Sequence, residues 1–148
     1  MSKRYVYEYS MTENSGKVTA VAKTIIKTSD GKEYVGVARY NPTDIDKYKP
    51  SKIAGLDIAT KRAEIKFYKG MEKEKLLKVK HIDDLISAFK NLKDATEDEM
   101  KRLYHYRNNI FREACSYAFY WERLENELNF MITRIGKVNL GKLNETQK

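Results

Sequence analysis

The sequence predicts an α+β fold, in which a three-stranded antiparallel meander is covered by helices and followed by a long C-terminal helix. Two observations predict it. The first 40 residues contain three runs rich in alternating β-branched and aromatic residues, separated by turn residues. Residues 97–135 then carry apolar side chains at a seven-residue spacing, without a glycine or proline.

The three strands are expected at residues 5–11, 17–27 and 33–40. A turn cluster at residues 13–16 joins the first pair, and Asp30-Gly31 signals a tight hairpin between the second pair. One face of the second strand carries mostly small side chains, which would let a helix approach closely, so we expect this face inward. Its members are Val18, Ala20, Ala22, Thr24 and Ile26, and Gly36 and Ala38 would serve the same purpose on the third strand.

The segment after the sheet is expected to form two helices. Ser51 would cap the first, which runs from Lys52 to about Lys69, although residues 63–68 also alternate well enough to form a strand. Its predicted inward stripe is Ile53, Leu56, Thr60, Ala63 and Phe67. Gly70 is expected to end this helix. A short amphipathic helix is then predicted by Ile82, Leu85, Ile86, Phe89 and Leu92.

The last helix is expected over about 97–135, because Thr96 and Glu99 form a capping box at its start. The run from Ile110 to Trp121 is apolar nearly all round, which predicts burial on every side. A second apolar face lies near the end of the helix, formed by Leu124, Leu128, Met131 and Ile135. Either the 52–92 helices cover that face, or it binds a partner or a second copy in a homodimer.

These elements predict one domain over residues 1–136. It comprises a meander (1–46), a basic helical segment (47–95) and the long helix (96–136), and a flexible tail (137–148) follows. The chain has no apolar run of membrane-spanning length and no signal-peptide core, so we expect no membrane partner. A single cysteine, Cys115, excludes an intrachain disulfide framework, and a cytoplasmic location is the expectation.

The net charge of +8 is concentrated in one block. Residues 47–80 carry eleven Lys/Arg against four Asp/Glu, for +7 of the total. Such a concentrated positive field suits an anionic partner, most commonly nucleic acid. The candidate binding residues are Arg39, Lys47, Tyr48, Lys49, Lys52, Lys61, Arg62, Lys66 and Lys69.

No catalytic signature is evident, and we expect no enzyme activity, no cofactor and no metal. His81 and His105 have no ligand partners at metal-binding spacing, and Cys115 lies in the most apolar stretch, which predicts a buried structural thiol. Asp57 followed by Glu64 and Lys66 resembles the acid-then-acid-x-Lys pattern of metal-dependent nucleases. That pattern needs a core strand, whereas these residues fit a helix, on which Glu64 and Lys66 diverge.

The stretch GVARYNPTD followed by KPSKIAGLDIATKRAEIKFYK resembles small bacterial domains with a double-stranded-RNA-binding-like fold. The resemblance covers about residues 18–69. The matching positions are Gly36, Arg39, Asn41, Pro42, Asp44, Ala59, Arg62 and Ala63. It implies a β-β-β-α order, with phosphate contacts by Lys49 and Lys52 at the start of the helix.

Two functions follow as hypotheses. The first is a non-enzymatic protein that binds nucleic acid largely through phosphate contacts of the 47–80 block. The second is a phage-type inhibitor or adaptor that binds a nucleic-acid-handling complex, such as a CRISPR effector or another defence nuclease. The sequence pattern is compatible with either DNA or RNA as the ligand.

Overall fold

The computed structural model describes residues 2–40, 52–92 and 95–136. It confirms the α+β class: an antiparallel sheet of order β1-β2-β3 is followed by two helices. The strands are β1 (Lys3–Asn14), β2 (Lys17–Thr28) and β3 (Glu33–Tyr40). The helices are α1 (Lys52–Lys90) and α2 (Glu97–Gly136). Ser51 and the predicted tail, 137–148, lie outside the described residues.

Both connections in the sheet are tight turns. Ser15 and Gly16 have φ angles of 55° and 78°, the paired positive values of a type I′ hairpin. In the second connection, the Gly31 N–H donates to the Thr28 carbonyl and the Thr28 N–H donates to the Lys32 carbonyl, both at 3.0 Å. Gly31 has φ 87°, so this is a three-residue loop with glycine in the left-handed position. The two short turns fix an up-and-down meander.

The inner face of the sheet is built from small residues, as the sequence predicts. The register sets Tyr5 opposite Ile26 and Ala22 opposite Ala38, which places these side chains on one face. The buried residues of this face on β2 and β3 are Ala20, Ala22, Thr24, Ile26, Gly36, Ala38 and Tyr40. Val18 is half-buried.

The first turns of α1 pack across this face and contact all three strands. The Tyr5 hydroxyl of β1 donates to Glu64 Oε2 at 2.9 Å, and Thr24 Oγ1 of β2 lies 3.0 Å from Thr60 Oγ1. At β3 the backbones meet closely: a β-carbon placed on Gly36 would lie 2.0 Å from the Ala59 carbonyl oxygen. Any larger residue at Gly36 would therefore push α1 away from the sheet.

The structure corrects two predictions for α1. It is one helix from Lys52 to Lys90 and does not end at Gly70. A helical glycine costs only about 1 kcal/mol, and Phe67 and Met71 on either side of it are both buried. The predicted stripe is confirmed only in part: Ala63 and Phe67 are buried, but Ile53 is 83% exposed. Ile58 and Ala59, which lie outside the stripe, are fully buried. The helix interpretation of residues 63–68 is confirmed.

The contacts divide the chain into two compact units, which subdivide the stretch predicted as one domain. The sheet unit comprises Met1–Phe67 and Trp121–Lys148, and the hairpin unit comprises Tyr68–Tyr120. Each helix therefore contributes one segment to each unit. In the sheet unit, Lys61 of α1 pairs with Glu127 of α2 at 3.8 Å.

In the hairpin unit, α1 and α2 pack antiparallel. Asp83 pairs with Arg107 at 3.0 Å, and Lys75, two turns earlier on α1, pairs with Glu113, further along α2. The core of this unit is formed by Val79, Ile82, Ile86 and Ile110, with Met100 and Leu103 packed against it. Leu85 and Leu92 of the predicted amphipathic stripe are exposed.

The start of α2 and its apolar seam agree with the sequence-based prediction. The Glu99 N–H donates to Thr96 Oγ1 at 3.2 Å, and the Thr96 N–H donates to Glu99 Oε2 at 3.4 Å, which completes the capping box. Every described side chain of the seven-residue seam is buried or half-buried. These residues are Met100, Leu103, Arg107, Ile110, Ala114, Tyr117, Trp121, Leu124, Leu128 and Met131.

One further prediction for α2 is wrong, and of the two alternatives for its second apolar face the structure supports coverage within the chain. The run from Ile110 to Trp121 is not buried on every side, because Phe111, Cys115 and Phe119 are exposed on the face opposite the seam. Leu124 and Leu128 are buried within the single chain, so they do not form an open face for a homodimer or partner. The side chain of Ile135 lies outside the described residues.

Candidate nucleic-acid interface

Arg62, one of the two arginines of the predicted site, lies inside the protein. It is 1% exposed, and its Nη1 donates to the carbonyl oxygen of Val37 at 2.8 Å. Burial lowers the pKa of Arg62 to about 10, because removal from water disfavours the charged form. Arg62 is therefore not available to an external phosphate, which corrects its assignment as a binding residue.

Lys66 and Lys61 also have partners within the sheet unit. The Lys66 Nζ donates to the carbonyl oxygen of Val35 at 2.7 Å. The Lys61 Nζ lies 3.3 Å from Asp57 Oδ1 and 3.8 Å from Glu127 Oε2. Two carboxylates therefore surround the Lys61 charge, which weakens its attraction for an anion.

The remaining described residues of the predicted site belong to different units. Arg39 at the end of β3 and Lys52 at the start of α1 are exposed in the sheet unit, and the Lys52 ammonium lies 5.8 Å from the centre of the Tyr9 ring. Lys69 is exposed in the hairpin unit. Lys47, Tyr48 and Lys49 lie outside the described residues.

The hairpin unit carries a basic surface of three lysines, of which only Lys69 is among the nine predicted binding residues. Lys69, Lys73 and Lys80 are exposed on α1, separated by four and seven residues. These spacings place them on one face of the helix, opposite the buried Met71, Val79 and Ile82. We call Lys69, Lys73 and Lys80 the lysine ridge. The signal was present in the sequence as an i, i+4, i+11 spacing, but it is visible only once residues 70–81 are known to be helical.

The neighbouring Lys75 faces the opposite way. Its Nζ lies 2.7 Å from Glu113 Oε2, and this hydrogen bond raises the pKa of Lys75 above its ordinary value of 10.5. Lys75 therefore joins the two helices and does not belong to the ridge. Among the residues that the structure describes, no carboxylate forms an ion pair with Lys73 or Lys80.

The residues that resemble a nuclease pattern are not brought together. Asp57 pairs with Lys61, Glu64 accepts from the Tyr5 hydroxyl, and Lys66 donates to the Val35 carbonyl. Each side chain therefore has a different partner. Within residues 2–40, 52–92 and 95–136, no group of three His, Cys, Asp or Glu side chains is placed to hold a metal ion.

The two histidines and the cysteine lie at the surface of the hairpin unit. His81 lines an open groove of about 280 Å³ with Leu77, Lys78, Ile82 and Tyr106. His105 lies 3.3 Å from the side-chain amide nitrogen of Asn109, one helical turn away. Cys115 is exposed, so the expectation of a buried structural thiol is wrong.

A stripe of exposed apolar side chains runs along α2 in the hairpin unit. Tyr104, Phe111, Cys115 and Phe119 recur at intervals of seven, four and four residues, and all are exposed. We call these four residues the aromatic stripe. It lies on the side of α2 that faces away from the buried Ile110 and Ala114.

No helix in the described part of the chain is long and apolar enough to cross a membrane. Comparisons with protein-family models, with curated proteins and with solved structures give no match.

Proposed function

We propose that this protein binds nucleic acid without catalysis, through contacts between phosphates and the basic 47–80 block, and that the lysine ridge makes the central contacts. The observation that carries this proposal is the ridge itself. Lys69, Lys73 and Lys80 lie exposed on one helical face. Among the described residues, Lys75 is the one lysine of residues 70–80 that forms an ion pair.

The spacing of the ridge suits a phosphate backbone. At a rise of about 1.5 Å per residue, the ridge lysines stand about 6 Å and about 10 Å apart along the helix. Their flexible side chains can reach successive phosphates over these intervals. Lysine is a point charge without the fork geometry of arginine, so it favours phosphates over bases. We therefore expect binding that depends on salt and only slightly on sequence.

The double-stranded-RNA-binding-like resemblance is compatible with this function. The order β1-β2-β3-α1 and the contact of Gly36 with α1 fit the pattern on which the resemblance depends. Lys52, which the resemblance assigns to phosphate binding, is exposed at the start of α1. The ridge lies further along the same helix, in the hairpin unit, and is not part of what the resemblance implies.

The test is fluorescence anisotropy with labelled RNA and DNA duplexes of mixed sequence, titrated across a range of salt concentrations. Three phosphate contacts predict a log–log salt slope near −3, and hence affinity that falls about 40-fold between about 50 and 200 mM salt. The Lys73→Ser/Lys80→Ser variant should reduce the slope by about 2. The matched control is Lys101→Ser/Arg102→Ser, which removes the same charge from exposed positions on α2.

The proposal is wrong if affinity does not change with salt, or if the ridge variant and the control bind equally well. Circular dichroism melting of both variants excludes loss of folding as the cause. A difference in affinity between the RNA and DNA probes would identify the preferred nucleic acid.

The aromatic stripe favours a second candidate function: an inhibitor or adaptor that binds a nucleic-acid-handling protein complex. Phe111 and Phe119 are large apolar side chains about two helical turns apart, and both are exposed on α2. Exposed apolar patches of this kind occur at many protein interfaces. A pull-down from a nuclease-treated bacterial lysate tests it. This function predicts that the unmodified chain captures a protein that the Phe111→Ser/Phe119→Ser variant does not capture. If both baits capture the same proteins, the stripe is not the interface.

A further inference from the structure

The two edges of the sheet differ. At β3, the edge carbonyls of Val35 and Val37 accept hydrogen bonds from Lys66 and Arg62, so side chains of α1 cover this edge. At β1, the sheet ends: β1 pairs with β2 alone, and no other described strand lies beyond it. An uncovered edge strand of twelve residues is a template for pairing with another strand.

The pairing of β1 with β2 shows which backbone groups face the open edge. The Ser29 N–H donates to the Ser2 carbonyl at 3.1 Å, and these residues continue the register in which Lys3 lies opposite Thr28. Ser2 is thus a hydrogen-bonded position, and the even-numbered residues of β1 direct their backbone groups toward β2. Odd-numbered residues, such as Tyr7 and Tyr9, direct theirs toward the open edge.

The sequence of β1 is complementary to itself when two copies run antiparallel. A register centred on Val6 sets Arg4 of each copy opposite Glu8 of the other, and Val6 opposite Val6. These side chains are in non-hydrogen-bonded positions, where opposing side chains lie closest. A register centred on Glu8 would set two carboxylates face to face, and one centred on Tyr7 would form no charge pair at all.

Two features of the single chain fit the register centred on Val6. Arg4 lies opposite Lys27 within the sheet, a repulsion between like charges that a facing Glu8 would offset. Tyr7 is 56% exposed beside Tyr5, and the register sets Tyr7 of one copy opposite Tyr5 of the other. The apolar row formed by Val6, Ile25 and Val35 on the outer face would also continue into the second copy.

We propose that two copies of this chain associate through their β1 edges, in the antiparallel register centred on Val6, to form one continuous six-stranded sheet. The occupant of the open edge is therefore a second copy. This interface is distinct from the long-helix face that the sequence predicts, and it does not depend on nucleic-acid binding.

Light scattering and sedimentation of the purified full chain give the first test. We expect a dimer at about 100 µM that dissociates on dilution. Arg4→Glu and Glu8→Arg should each weaken dimerisation about 10- to 100-fold, because each change converts two attractive pairs into two repulsive pairs. The double variant Arg4→Glu/Glu8→Arg should restore it, and a mixture of the two single variants should form heterodimers.

Cross-linking and proline substitution test the register and the edge. In a Cys115→Ser background, Val6→Cys should form an intermolecular disulfide, because facing non-hydrogen-bonded residues lie about 4.5 Å apart. Glu8→Cys should not form an intermolecular disulfide, because in this register it lies opposite Arg4. It would form one in the register centred on Glu8. Tyr7→Pro removes an N–H that faces the open edge, so it should abolish the dimer while leaving the β1–β2 ladder and the melting temperature nearly unchanged.

A chain that stays monomeric at that concentration overturns the proposal. A dimer that is insensitive to the charge exchanges and to Tyr7→Pro also overturns it, because the interface must then lie elsewhere. If an added peptide pairs with the edge of a monomeric chain, the edge is a peptide site and the second copy is the wrong occupant.

Discussion

The guanidinium of Arg62 lies 2.8 Å from the carbonyl oxygen of Val37, and this contact joins α1 to the edge of β3. A buried cation that donates to a backbone carbonyl satisfies an acceptor that would otherwise face either water or another strand. One helix thus covers the inner face of the sheet and closes one of its edges. Arg62, one of the nine predicted binding residues, thus has a structural role.

Replacing Arg62 with methionine should destabilise the protein by about 1–3 kcal/mol, because the Val37 carbonyl loses its charged donor while the apolar volume is kept. Urea denaturation followed by circular dichroism measures the change in the free energy of unfolding. Arg102→Met is the control, since Arg102 is exposed on α2. If the two variants had equal free energies of unfolding, the Arg62–Val37 contact would contribute no net stability.

Gly36→Ala should destabilise the protein by about 3 kcal/mol or more, because the new β-carbon would lie 2.0 Å from Ala59 O and 2.4 Å from Ala63 N. Both atoms belong to the backbone, so only a shift of α1 relieves the overlap. Gly16→Ala serves as the control. It meets no atom within 4 Å and should cost only about 1 kcal/mol, through its positive φ. A mild effect at Gly36 would mean that α1 can move away from β3 at little cost.

The sheet could be predicted from the sequence because its signals are local: alternation, turn residues and a small-residue face. The inward face of α1 could be predicted only in part, because a search for apolar residues finds Ala63 and Phe67 but also selects Ile53, which is exposed. The actual contact uses Gly55, Ala59 and Ala63, whose small side chains let the backbones approach. Hydropathy gives these residues little weight, and only the three-dimensional contact reveals their role.

The corrected inward face of α1 predicts opposite results for two isoleucines. Ile53→Lys should change the free energy of unfolding by less than about 0.5 kcal/mol, since the side chain is already in water. Ile58→Ala should cost about 2–4 kcal/mol, because Ile58 is fully buried and its loss leaves a cavity. Chemical denaturation of both variants gives the comparison. A large effect at Ile53 would restore the face predicted from the sequence.

The Lys75–Glu113 pair offers a test of the antiparallel helices in the hairpin unit. Lys75→Glu and Glu113→Lys should each destabilise the protein, and the doubly exchanged variant should recover part of the loss. The coupling free energy from the double-mutant cycle should be about 0.5–1 kcal/mol, since Glu113 is half exposed to solvent, and it should decrease at about 1 M salt. Zero coupling at low salt would contradict the 2.7 Å contact.

The β2–β3 turn should contribute a pH-dependent part of the stability. A hydrogen bond from the Thr28 hydroxyl lowers the pKa of Asp30 below its ordinary value of 3.8. A carboxyl group with a lowered pKa in the folded state stabilises the protein above pH 3.8, and this contribution is lost as pH falls through the folded-state pKa. Asp30→Asn should therefore reduce the melting temperature at neutral pH, with a difference that disappears in strong acid. In a Thr28→Val background the pH dependence should shrink.

The candidate site could be predicted only as a charged block. The sequence shows that residues 47–80 are basic, but the function of each cation depends on which acceptor lies beside it. Lys61, Arg62 and Lys75 have acceptors more than ten positions away in the chain, at Glu127, Val37 and Glu113. The ridge remained hidden for a different reason, since its spacing has meaning only if the helix continues through Gly70.

The division of the chain into two units has a consequence for its synthesis. The sheet unit is discontinuous, because its two segments, Met1–Phe67 and Trp121–Lys148, flank the whole hairpin unit. On a ribosome, the hairpin unit can form its local contacts as soon as Tyr120 emerges, whereas the sheet waits for the segment that carries Leu124 and Leu128. A chain stalled near Tyr120 would present an uncovered apolar surface to chaperones and proteases. Folding of the sheet unit therefore depends on a segment of α2 that is synthesised after the whole hairpin unit.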